Sequence, residues 1–436
     1  MKDFATSDDP AVQAQLDRLA RLSLPQGRLG LETIRALLAR LGDPQRRIPP
    51  AFHIAGTNGK GSTCAYLRAM LEAQGLTVHT ATKPHLVRYN ERIRLAGKLI
   101  GDALLAELLG EVLDAGEDLA PSFFEVTTAA TFLAFSRIPA DACVIEVGLG
   151  GRFDATNVLE QPAACGIASL GIDHEAFLLQ EEMGAPSHPL ARIAFEKASI
   201  AKPGCPLITQ SYPPEATQQI VKIARRLKVP VAMRGLEWKA RINGGLIDYT
   251  DAAGSIQLPL PTIPGAHQAD NVALAVAILR HQRAVSVTID AISDGIVQAR
   301  WPARMQLLAG GPLADLAPGR AVWLDGGHNP DAGLALARHF ANGEPVHLII
   351  GMLSNKDPSA ILAPMAGKLL SVSVVPAPGH EAHKPEDFAP HTHLPVRSFP
   401  DVEQALLALP PGGDVLIAGS LYLAGEVLRL NREIPD

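Results

Sequence analysis

Cysteine is scarce in this chain: Cys64, Cys143, Cys165 and Cys205 stand alone among 436 residues, in or beside apolar stretches. No C-x-x-C pair occurs, so a disulfide framework is excluded and a reducing compartment, the cytoplasm, is expected. A basic excess is missing too. With 39 Lys and Arg against 45 Asp and Glu the net charge is -6, which argues against general affinity for nucleic acid. No apolar run approaches the roughly 18 residues that a membrane helix needs. The start, Met1-Lys2-Asp3-Phe4, continues into acidic and polar residues rather than an apolar signal core. Internal repeats and low-complexity tracts are absent. Charged residues make up only 19% against 47% hydrophobic, a globular balance that excludes disorder.

What is present is organised around one stretch, His53-Ile54-Ala55-Gly56-Thr57-Asn58-Gly59-Lys60-Gly61-Ser62-Thr63. Residues 51–55 read as a buried strand, and residues 63–73 as a helix. The glycines between them let backbone N–H groups converge on an anion, and the helix N-terminus adds partial positive charge. Lys60 can reach the β- and γ-phosphates of a nucleotide, while Ser62 or Thr63 can serve them or their Mg2+. The spacing departs from the common G-x-x-x-x-G-K-[ST] form. Two residues separate Gly56 from Gly59, and Gly61 follows the lysine. An ordinary strand-to-helix turn is the bland alternative.

Strands and helices alternate along the rest of the chain, which implies parallel βαβ units with ligands at the C-terminal strand ends. Residues 11–22 and 31–41 read as helices ahead of the loop. Strands follow at 77–81, 142–147 and 165–171, with helices at 104–112, 124–135 and 191–200. Residues 83–92 and 180–189 read as loops, the second of them exposed. Residues 239–260 alternate around Asn243-Gly244-Gly245 and predict an antiparallel hairpin. A fresh βα series begins after Trp301-Pro302-Ala303-Arg304, so two domains are expected, 1–300 and 301–436. Glu146 lies in an apolar strand before Val147-Gly148-Leu149-Gly150-Gly151-Arg152. It is either a Mg2+ ligand or a strand-end partner of Arg152. Asp173-His174 ends the next strand. Lys197 follows Glu196 in a helix, where an exposed ion pair is the plain reading. Asp325-Gly326-Gly327-His328-Asn329 closes a strand before a helix at Pro330, a turn suited to contacting a nucleotide or merely to capping the helix.

Together these segments resemble folylpolyglutamate synthase, including the bacterial bifunctional form that is also dihydrofolate synthase. The matching stretches are 53–63, 84–92, 123–127, 144–157, 196–198, 265–268 with Asn271, 301–304, 325–330 and 419–422, spread from about Leu29 to about Leu428. More distantly, the loop and architecture resemble the ATP-dependent Mur ligases. The resemblance implies an α/β protein: an N-terminal P-loop ATPase-like domain with a mostly parallel sheet and a C-terminal Rossmann-like α/β domain. It implies ligation of L-glutamate to 7,8-dihydropteroate and to reduced folates, through an acyl phosphate made from ATP with Mg2+. A monofunctional folylpolyglutamate synthase and a nucleotide-binding homologue with impaired ligase activity are the alternatives. A monomer without nucleic-acid or membrane partners is expected.

Carried over by motif, ATP would meet Gly56, Thr57, Asn58, Gly59, Lys60, Gly61 and Ser62, together with Asn271, Arg304 and Asp325. Glu146 and His174 would hold Mg2+. Lys197 matches a lysine that is carbamylated in the family, the added carboxylate helping a second metal site, and His328 would lie close to the transferred phosphate. Gln26, Gly27, Arg28 and Leu29, with Ser122, Phe123, Phe124 and Glu125, would line the pterin pocket. The chain departs from the family most sharply at Lys83, where a Mg2+-ligating serine is usual. An ammonium cannot ligate a cation, so Ser62 would replace that donor or Lys83 itself would offset phosphate charge. Ser199, Ala303 and Gly327 are small replacements for Gly, Gly and Ala.

Overall fold

The computed structural model describes residues 6–22, 30–173, 175–180 and 182–436. They form two compact units, one of which comprises the described residues up to Pro84, Arg88–Thr262 and Ala269–Ala299. Its main sheet contains β1 (Ala51–Ala55), β2 (Val78–Ala81), β3 (Ile93–Leu95), β4 (Lys98–Leu99), β5 (Ala142–Glu146), β6 (Ala164–Ile167), β7 (Leu207–Thr209) and β8 (Val231–Met233). The order is β4-β3-β2-β5-β1-β6-β7-β8. From β2 to β8 every pairing is parallel, as the alternating helices require. Every residue of β1, β2, β5 and β6 is buried, which explains why these strands read as apolar runs rather than alternations.

Helices cover the sheet. Pro10–Arg21, Glu32–Arg40, Asp102–Gly116 and Phe123–Arg137 supply one apolar core, and Pro189–Ala198 with Pro214–Leu227 supply another. The helix Gln268–Arg280 is apolar almost all round, with Val272 to Ile278 fully buried. The antiparallel edge strands β3 and β4 were not legible in the sequence, because their alternation lasts too few residues. They turn at Ala96 and Gly97, both with positive φ, the backbone of a tight hairpin. Residues expected to form one hairpin form a three-stranded antiparallel sheet instead: β9 (Trp238–Asn243), β10 (Leu246–Asp251) and β11 (Gly254–Pro259).

The other unit comprises His85–Val87, Ile263–Gln268 and Arg300–Asp436. Its sheet contains β12 (Gln306–Leu307), β13 (Val322–Leu324), β14 (Val346–Ile350), β15 (Leu369–Val374), β16 (Val396–Ser398) and β17 (Val415–Ala418), in the order β12-β13-β17-β14-β15-β16. All pairings except β12 with β13 are parallel. Among the described residues no helix is long and apolar enough to cross a membrane.

Candidate active site

The loop after β1 emerges between the C-terminal ends of β5 and β6, since Ile54 is in register with both Glu146 and Gly166. The helix behind it starts at Lys60, three residues earlier than the apolar pattern indicated, so Lys60, Gly61 and Ser62 form its first turn. Gly59 precedes it at φ +81, a left-handed conformation in which a Cβ would also strike the Asn271 amide. Asn271 is thereby seated against the loop. Thr57 is fastened to the turn after β6, its N–H to Ser169 O at 2.7 Å and its hydroxyl to Gly171 O at 2.8 Å. The Lys60 ammonium donates to the carbonyls of Gly56 (2.9 Å) and Thr57 (3.1 Å), so it stands over the loop whose N–H groups it would assist. Ser62 and Thr63 are buried, and among the described residues the Thr63 hydroxyl has no hydrogen-bond partner.

Glu146 ends β5 buried, and one of its oxygens accepts the Lys83 backbone N–H at 3.1 Å. It is not paired with Arg152. That guanidinium instead bridges Glu182 (2.5 Å) and Glu196 (2.8 Å) and stacks on Phe153 and Phe195. Glu182 also binds Arg192 at 2.8 Å. Its carboxyl is held down at about 2, chiefly by the Arg152 hydrogen bonds. The segment 180–189 is exposed over most of its described residues, as expected, and Glu182 ties it to Arg152 and Arg192. Glu196 and Lys197 are not an exposed pair, for both are buried, at 4% and 5% accessibility. Burial, and after it the Lys60 charge, lowers the Lys197 ammonium to about 7 against the opposing pull of Asp173, Asp154 and Glu196. Gly151 permits this packing, since a Cβ there would stand 2.6 Å from the Glu196 carbonyl oxygen.

Asp154 was not singled out in the sequence, although it lies in the same glycine-rich stretch as Glu146. Buried, it accepts N–H bonds from Gly148 and Leu149 at 2.9 Å and bonds the Thr156 N–H and hydroxyl at 3.0 and 2.5 Å. Burial pushes its carboxyl up, but the Lys83 charge and these donors win, and the net shift is downward. Thr156 meets His53 at 2.8 Å, and burial drives that imidazole down to about 3, so it is neutral. The signal for Asp154 was an acid eight residues after the end of β5, across a glycine-rich turn, where its carboxylate can gather turn N–H groups.

Of the residues expected to line a pterin pocket, Ser122 and Glu125 form a capping box at the start of Phe123–Arg137. Phe123 and Phe124 are half-buried, with ring centroids 4.1 Å apart. Arg92 lies over Phe123 and Lys83 over Phe124. Gln26, Gly27, Arg28, Leu29 and His174 lie outside the described residues.

Arg304, Asp325 and His328 belong to the other unit. Asp325 accepts the N–H groups of Met305 (2.8 Å) and Gly327 (2.7 Å), and Arg304 donates to Ala303 O at 3.1 Å. Ala303 and Met305, on either side of Arg304, both have positive φ, strain of the kind that gathers where a side chain must be held in one place. His328 Nδ1 approaches Gly326 O at 3.1 Å, and Asn329 caps the helix Pro330–His339 through Ala332 N.

Among the described residues no group of three or more His, Cys, Asp and Glu could hold a metal ion. Glu146 and the Ser62 hydroxyl are hard oxygen donors, and one carboxylate with a hydroxyl suits a Mg2+ ion that keeps waters and binds largely through phosphates. The donors fit Mg2+ on those terms.

No family model matches the chain. It is 32% identical over 422 residues to the dihydrofolate synthase/folylpolyglutamate synthase of Bacillus subtilis, covering 91% of this chain and 94% of that protein. Among solved structures, the bifunctional folylpolyglutamate synthase/dihydrofolate synthase of Yersinia pestis complexed with AMPPNP and Mn superposes with a TM-score of 0.83 at 29% identity, over 96% of this chain and 97% of that one. Escherichia coli FolC in complex with DHPP and ADP also reaches 0.83, at 30% identity over 98% of both chains. The phosphate loop, the mostly parallel sheet and full-length relationships of this strength agree, and the chain belongs to the dihydrofolate synthase/folylpolyglutamate synthase family.

Proposed function

We propose that this protein is an ATP-dependent ligase that joins L-glutamate to 7,8-dihydropteroate and to reduced folates. The observation that carries the reading is a juxtaposition within one unit. A lysine-bearing phosphate loop, the buried acids Glu146 and Asp154 and the buried Lys197 interact electrostatically, and Lys83 links that group to the Phe124 ring. Dihydropteroate and the folates offer an aromatic ring to stack and a carboxylate to activate, which suits such an arrangement.

In the first step a carboxylate oxygen of the substrate attacks the γ-phosphorus of ATP. The bond to the β–γ bridging oxygen breaks, and ADP leaves with the electron pair. The glutamate amine then attacks the acyl carbon, phosphate departs, and the amine's proton passes to solvent. Two anions meet in the first step, so positioning and charge neutralisation carry the catalysis. Lys60 and the loop N–H groups hold the phosphates, and Asn271 is seated beside them. Glu146 and Ser62 would hold Mg2+, which supplies further positive charge when bound. Lys197, with its proton loosely held, is the group that would accept carbon dioxide to become a carbamate. Arg304, Asp325 and His328 are assigned to the nucleotide and the transferred phosphate by motif. The cytoplasm is the proposed compartment, in keeping with four free cysteines, three of them buried.

Purified protein incubated with ATP, Mg2+ and labelled glutamate tests the reading. Labelled product is expected with dihydropteroate and with tetrahydrofolate. Product from tetrahydrofolate alone would reduce the protein to a folylpolyglutamate synthase. ATP binding without pterin-dependent phosphate release would make it a homologue that no longer ligates.

A further inference from the structure

Lys83 is the charged side chain that an ordinary metal-assisted phosphate site does not account for. Its backbone N–H is bound to Glu146, so the side chain departs from beside the end of β5. It then passes the turn at Gly148. A Cβ on Gly148 would lie 3.2 Å from Lys83 Cδ, 3.6 Å from Nζ and 3.2 Å from Asp154 Oδ2. The ammonium and the Asp154 carboxylate thus face one point above the turn, and Nζ lies 5.7 Å from the Phe124 ring centroid.

The two charges are not joined. Both Asp154 oxygens are taken by Gly148, Leu149 and Thr156, and among the described residues the Lys83 ammonium makes no hydrogen bond. Its three N–H donors are therefore available to a ligand. Burial and the Arg92 charge lower the ammonium's pKa, and the Asp154 and Glu146 carboxylates oppose that shift. A residue needed only to balance Asp154 would pair with it directly. A divalent ion set on Glu146 would meet a like charge here, whereas a phosphoryl group would meet an opposite one.

We propose that the Lys83 ammonium is a fixed cation of the active site, binding oxygens of the phosphoryl group in transfer and making the protein a poor binder of divalent ions until a nucleotide delivers one. This rests on the ligase reading, and it assigns to a side chain part of the charge that metal would otherwise supply.

Two binding measurements test it without turnover. Nucleotide-free protein is titrated with Mn2+, read from the electron paramagnetic resonance of the free ion, for wild type, Lys83→Ser and Lys83→Met. Binding of AMPPNP in EDTA is measured by calorimetry on the same proteins. Lys83→Ser is expected to bind Mn2+ roughly tenfold more tightly than wild type, and Lys83→Met to lose roughly tenfold in metal-free AMPPNP affinity. Equal Mn2+ affinity in wild type and Lys83→Ser, or metal-free AMPPNP binding indifferent to the charge at position 83, would overturn the proposal. Lys83→Gln replaces Lys83→Met if thermal melting shows the latter to be unfolded. Absence of pterin-dependent phosphate release in wild type would remove the ligase reading but leave both binding results standing.

Discussion

Lys197 illustrates how a single buried group reports on its surroundings. In the unfolded chain its ammonium has the ordinary value of 10.5, and in the fold about 7. Between those values the unfolded state holds more protons, so stability rises with pH across the window, and the penalty is fully present below about 7. Lys197→Met is therefore expected to be more stable than wild type at pH 6, by ~1–2 kcal/mol in urea unfolding. The difference should shrink toward pH 10. An equal difference at both pH values would show that packing, not charge, decides it. The same variant should lack any carbamate carbon signal that wild type develops with 13C-bicarbonate, because only a neutral amine adds carbon dioxide.

The segment preceding Pro189–Ala198 is held in part by one carboxylate. Glu182 sits between Arg152 and Arg192, and Glu182→Gln leaves two buried or half-buried guanidinium groups with a weaker partner. A loss of about 2 kcal/mol is expected by thermal or urea melting. Because the Glu182 carboxyl is depressed from 4.5 to about 2, its contribution is present above 4.5 and is lost as pH falls toward 2. The variant should show a flatter acid limb, and an unchanged one would mean the clasp carries no weight. This clasp also marks where the sequence ceased to be informative. The regular elements were legible because periodicity survives in a single chain: β1 was read at its full extent, and most helices to within a few residues. The phosphate loop and Glu146 were legible because glycines and a buried acid at strand ends have few bland explanations. Arg152 with Glu182, and Lys83 with Asp154, depend on residues tens of positions apart whose spacing has no period. Sequence reading accordingly left Glu146 open between a Mg2+ ligand and a partner of Arg152, and did not connect Glu182, in its exposed loop, with either arginine.

For the molecule as a whole, a nucleotide that binds only the folded state must raise its stability. AMPPNP with Mg2+ at about a hundred times its dissociation constant should add about 2.7 kcal/mol, seen as a higher Tm. Lys60→Ala should abolish that shift while leaving the unliganded Tm within a few degrees, since among the described residues its ammonium hydrogen-bonds to loop carbonyls alone. A shift that survives in Lys60→Ala would place the nucleotide elsewhere. The unit that carries β12 to β17 is assembled from three separate stretches of chain. Leu86 and Val87 pack against its core, and the backbone of Leu86 lies against Gly425 in the helix Leu421–Leu430. No single cut can therefore release this unit intact. A fragment starting at residue 300 would lack those two side chains and expose the apolar surface they cover, so it should aggregate or bind hydrophobic dyes where the full chain does not.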